Sequence, residues 1–144
     1  MIVDNQATYA TAQAVTAVGD TPSTNSYDHG PGSPGQGLND VSLIVKTNAG
    51  VTSGGAATVQ AVLQDSADNT SFADVQTLNN AAALAALGAN KTVAVARFPA
   101  SLRRYTRVVF RVGTAALTAG SFSAFVVYDT DLQQYLPSGF KVNA

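Results

Sequence analysis

The sequence predicts an all-β domain, a sandwich or a barrel. Apolar and polar residues alternate with period two in several runs of β-formers, which puts one set of side chains on a core face. Gly-rich connectors separate those runs, as turns between short strands require. Ala, Val, Thr, Ser and Gly dominate the composition.

The strands can be taken in order. Val41, Leu43 and Val45 alternate with Ser42, Ile44 and Lys46. Ala57, Val59, Ala61 and Leu63 alternate with Thr58, Gln60, Val62 and Gln64. Residues 91–98 continue the theme. In 103–112, Thr106, Val108, Phe110 and Val112 share a face opposite Tyr105, Arg107, Val109 and Arg111. Residues 120–129 are apolar on both faces, which predicts a strand covered on both sides. Asn48–Gly55 and Gly113–Gly120 read as hairpin loops, with Gly supplying positive φ.

Two segments are irregular. Asn79–Leu87 is rich in helix formers but only marginally long for a helix without packing. It reads equally as a short helix or an extended loop. His29–Gly37 holds four Gly and two Pro, which excludes helix and central strand and predicts an exposed loop. No fixed-period repeat and no linker divide the chain, so 1–144 reads as a single β-sandwich domain. At 144 residues it can bury roughly two-thirds of its unfolded surface without staples.

Charge is sparse and unevenly placed. Charged residues are 12 % of the chain, against about 25 % in an average soluble domain, a weak sign of a surface covered in assembly. Asp4, Asp20, Asp28 and Asp40 precede the first basic residue, Lys46. Lys91, Arg97, Arg103, Arg104, Arg107 and Arg111 fall where there is no acid. The two halves can pair with each other as neighbouring strands, or the arginines can meet an acidic partner. The net charge of -1 argues against nucleic acid and against an anionic membrane. No apolar run is long enough to span a bilayer. The N-terminal Met1–Asn5 is neither basic nor followed by an apolar run, so no secretory signal is expected.

The catalytic inventory is thin, and no enzyme activity is expected. There is no Cys and no Glu, and His29 is the only His. A Ser-His-Asp triad would need His29, which opens the Gly/Pro segment and reads as a solvated loop residue. Asp65 with Asp68, and Asp129 with Asp131, could be read as paired acids, but strand-end Asp usually caps turns. Asp65–Asn69 lacks the Gly and closing Glu of an EF-hand loop. No phosphate cradle is present. No Trp is available to stack on a sugar. No cofactor and no metal site are expected.

Several segments together resemble the capsid cement (decoration) proteins of tailed phages, the family typified by the Bordetella phage cement protein. They are Ala12–Thr16, Ser53–Gln60 leading to Val62–Gln64, Arg104–Arg107, Gly113–Thr114, Thr118–Gly120 and Tyr135–Phe140. They are spread over most of the chain. The loop at 31–37 is the part placed least well in that family. The resemblance implies a jelly-roll-like antiparallel β-sandwich. It implies a structural virion protein on the outer capsid surface, made in the bacterial host cytoplasm. It would bind an HK97-type major capsid protein, associate with itself as dimer or trimer, and bridge neighbouring capsomers. The alternative is an adhesion or carbohydrate-binding module of a phage tail or fibre. A hydrolase using His29 is a much weaker third.

Bulky residues near the C-terminus, Tyr135, Leu136, Pro137 and Phe140, are candidate contacts, or they close the domain's own core. Tyr and Arg anchor interfaces, so Arg103, Arg104 and Tyr105 are further candidates.

Overall fold

The computed structural model describes residues 3–31 and 41–128. Ten strands form its frame: β1 (Val3–Ala14), β2 (Gly19–Pro22), β3 (Tyr27–Asp28), β4 (Ser42–Ser53), β5 (Thr58–Ser66), β6 (Ala73–Thr77), β7 (Ala82–Ala83), β8 (Thr92–Arg97), β9 (Tyr105–Gly113) and β10 (Leu117–Val127). One antiparallel sheet has the order β1-β10-β4-β8, and the other β2-β9-β5-β6. β3 extends the β2 edge along β9, and β7 pairs with the far edge of β5. In chain order β1 pairs with β10, β2 with β9, β4 with β8 and β5 with β6. This nested pairing across two sheets is the jelly-roll winding. The expected sandwich is therefore found.

Alternation explains how the sheets bury one another. Leu43 and Val45 of β4, Val59, Ala61 and Leu63 of β5, and Val108, Phe110 and Val112 of β9 all point into one core. Phe122 and Ala124 of β10 join them. Phe110 and Phe122 come from opposite sheets and stack with ring centroids 5.2 Å apart and planes at 29°, an offset contact favoured between aromatic rings. Truncating either ring would cost about 3–5 kcal/mol. The doubly apolar β10 is covered on both faces as expected. Its outward Phe125 and Val127 join Ile44 of β4 in a separate buried cluster.

Both expected hairpin loops are corrected. β4 runs on through Ser53 and β10 begins at Leu117, so the connectors shrink to 54–57 and 114–116. Each passes from one sheet to the other rather than joining paired strands. The reason lies in the core. β4 and β5 turn apolar faces toward the same interior, so the chain folds over that interior instead of beside itself. Local turn chemistry is the same in both cases.

Three such arches meet at one end of the sandwich. The β1–β2 arch is tied to the others when Val15 N–H donates to Gly120 O (3.1 Å) and Leu117 N–H to Thr16 O (2.9 Å). Ser53 Oγ donates to Ala116 O at 2.6 Å. The approach is close enough that a Cβ on Gly55 would stand 2.9 Å from Ala115 Cβ.

Asn79–Leu87 proves to be mixed. Asn79 Oδ1 accepts from Ala61 N–H at 2.7 Å, β7 adds a two-residue edge, and Leu84–Ala86 form a single 3-10 turn. Leu87 then plugs the core. Tertiary anchoring stops a helix from propagating here. β1 carries no clear alternation because its pairing with β10 slips repeatedly, with Ala12 at φ 45°. Ser123 Oγ accepts from Ala12 N–H and donates to Asn48 Oδ1, both at 2.8 Å, so the irregular backbone is satisfied.

The arch contact can be tested by overpacking. Gly55→Ala should destabilise by about 1–3 kcal/mol, and adding Ala115→Gly should restore most of the loss. Urea unfolding of the two single variants and the double variant measures this. Additive losses would show that the arches do not touch.

Candidate functional site

The outer face of the β2-β9-β5-β6 sheet gathers the chain's opposite charges. Strand alternation sends Arg107 and Arg111 outward from β9 while Val108 and Phe110 go inward. Arg111 Nε and Nη2 donate to Asp20 Oδ1 and Oδ2 at 2.7 and 2.8 Å, a bidentate fork. Arg111 Nη2 also reaches Asp74 Oδ2 at 3.2 Å. Arg104 makes the same fork to Asp28, at 2.8 Å on both arms. The acidic first half and basic second half therefore pair within the molecule, because β2 and β3 lie beside β9. Asp20 and Asp28 are both held below the usual carboxylate range by their arginine hydrogen bonds, Asp28 at about 2. These pairs are half exposed and add little stability. Their effect is to cancel charge.

Arg103 has a different task. Asp65 is almost buried, with its side chain 8 % exposed. A buried carboxylate needs partners, and Arg103 supplies them. Its backbone N–H and its Nε donate to Asp65 Oδ2 and Oδ1, both at 2.8 Å. Asp68 caps its turn, accepting from Ser66 Oγ, Thr70 N–H and Ser71 N–H, which hold it at about 2. The turn-capping expectation fits Asp68. Asp65 instead anchors Arg103. Tyr105 is half-buried, with the Arg104 guanidinium 5.0 Å above its ring.

Arg107 differs from its neighbours. Its Nε donates to Gln64 Oε1 at 2.9 Å, and its guanidinium lies over the Phe72 ring at 4.0 Å. Among the described residues no carboxylate pairs with it. Desolvation pushes its ionisation down. It lines a polar cleft of about 200 Å³ together with Ser23–Ser26, Asn69 and Phe72. The sequence places Arg107 on the outer face. It gives no sign of Phe72 or Asn69, which arrive from the β5–β6 turn.

His29 is corrected. It is not a solvated loop residue but half-buried, with Nε2 2.8 Å from Thr106 Oγ1. Thr106 Oγ1 in turn lies 2.7 Å from Tyr9 OH. The His29 ring packs edge-on to Tyr27 and Phe98. Burial lowers its ionisation and raises that of Tyr9. His29 therefore closes the polar edge of the core.

The other candidate contacts, Tyr135, Leu136, Pro137 and Phe140, lie outside the described residues, as do Asp129, Asp131 and loop positions 32–37. Among the described residues no three His, Asp, Glu or Cys side chains stand together as a metal site. No helix there is long and apolar enough to cross a membrane.

Residues 9–126 match the model of the Bbp16 family. The chain belongs to that family. The match takes in the described sandwich from β1 nearly to the end of β10. Bbp16 is a protein of a Bordetella phage, so the family is a phage family. Among curated proteins none matches the chain.

His29 gives this Bbp16 family member a pH dependence. Burial makes the imidazole harder to protonate in the folded state, whereas the unfolded chain takes up a proton near pH 6.5. The unfolded state thus binds more protons, and stability falls as pH drops through and below 6.5. Tm measured from pH 7.5 to 5 should decline in wild type and stay flatter in His29→Gln. Equal slopes would exclude His29 as the cause.

Proposed function

We propose that this protein is a non-catalytic cement, or decoration, protein of a phage capsid. The reading rests chiefly on membership of the Bbp16 family across the sandwich. It binds the outer surface of an HK97-type shell and bridges neighbouring capsomers as a dimer or trimer.

The chemistry of the surface supports it. Arg104 and Arg111 on this face each hold a carboxylate, so covering them against a protein costs less than covering unpaired guanidinium groups would. A clamp that touches several shell subunits also gains by multivalency. Each contact alone is modest, but separating two subunits breaks several at once. In this reading Arg103, Arg104 and Tyr105 contribute exposed contact surface, with Arg103 and Arg104 held by Asp65 and Asp28.

Mixing the purified protein with expanded capsids and with procapsids tests the reading. Co-sedimentation with expanded capsids, and not with glycan-coated beads, is the expected result. Binding to glycans alone would favour an adhesion module. A second measurement addresses the C-terminal residues. Phe140→Ala should abolish decoration without changing Tm if Tyr135, Leu136, Pro137 and Phe140 contact the shell. A lowered Tm would mean that they close the domain's own core.

A further inference from the structure

The geometry points to the cleft beside Arg107 as a receptor for a single acidic side chain of a protein partner. The inference rests on the capsid reading above and names the chemistry of one contact within it.

Four arginines stand on this face and its rim. Arg103, Arg104 and Arg111 each have a carboxylate of this chain. Arg107 does not: it feels the charge of Asp20, but the Asp20 carboxylate is bound by Arg111. Asp74 accepts from Gln64 Nε2 at 2.6 Å and from Arg111. Gln64 thus stands between Arg107 and the acid, giving its oxygen to one and its amide hydrogens to the other.

The result is a cation held in place with no carboxylate bound to it among the described residues. Phe72 supports the guanidinium plane and Gln64 fixes its Nε edge. The terminal nitrogens make no hydrogen bond among the described residues. Such a fork suits a carboxylate better than a point charge would. The rest of the cleft adds donors. Ser26 and Asn69 line it, and their side chains make no hydrogen bond among the described residues. Ser23, Thr24 and Asn25 are tied down by scaffold bonds, Thr24 N–H to Gln13 Oε1 among them, so the walls are rigid.

Volume sets the ligand class. Small-molecule sites usually span about 300–1,000 Å³. The cleft holds about 200 Å³, enough for an Asp or Glu side chain.

Two variants and two readouts test this. Arg107→Gln removes the fork, and Ser26→Glu places a competing carboxylate on an exposed loop without touching the core. Both should keep the wild-type Tm and bind expanded capsids at least tenfold more weakly. In the second readout, N-acetyl-aspartate amide is titrated into the 15N-labelled protein. It should produce saturable NMR shifts at the Arg107 Nε–H and Asn69 signals, absent with N-acetyl-asparagine amide and absent in Arg107→Gln. Wild-type capsid binding by two folded variants would overturn the inference and leave the cement reading standing. If wild type itself ignores capsids, the cement reading fails, and the titration alone decides the cleft. Absence of shifts overturns it.

Discussion

Everything on the charged face follows from the burial of β9. This strand sits in the middle of its sheet, with β2 and β3 on one side and β5 on the other. Its inner residues Thr106, Val108, Phe110 and Val112 are fully enclosed. A strand so constrained cannot slip by one residue, because that would turn Phe110 outward and Arg107 and Arg111 into the core. The register is therefore fixed by the hydrophobic face, and the arginines take whatever neighbours that register provides.

Those neighbours convert a charge-asymmetric chain into a nearly neutral surface. The β2 and β3 segments bring Asp20 and Asp28 from far away in sequence to within hydrogen-bond reach of Arg111 and Arg104. Arg107 faces a glutamine instead, and keeps its charge. Among the described residues Arg107 is the arginine of this face without a carboxylate bound to it.

The inner edge of the same strand carries the polar chain His29–Thr106–Tyr9. Each group is satisfied by the next, as buried hydroxyls require. This chain ties β1, the start of the Gly/Pro segment and β9 together, and so joins the two sheets by hydrogen bonds as well as by packing. At the opposite end the arches hold the sheets by close backbone approach.

The sequence by itself determined the strand faces. Thr106, Val108, Phe110 and Val112 against Tyr105, Arg107, Val109 and Arg111 was legible from alternation, because a pleated backbone enforces period two. The complementary charge of the two halves was legible as a sum. Family resemblance, not periodicity, carried the jelly-roll winding and the phage setting. Which Asp meets which Arg was not legible, since partners such as Asp20 and Arg111 are set by strand order. Nor was the path of the Gly-rich connectors, because an arch and a hairpin use the same turn residues and only the shared core decides between them. His29 read as solvent-exposed for the same reason. Its burial depends on Tyr27, Phe98 and Thr106, which no local pattern links to it. Only tertiary structure, by bringing Phe72, Asn69 and Ser26 around Arg107, made a cleft of residues that the sequence leaves far apart.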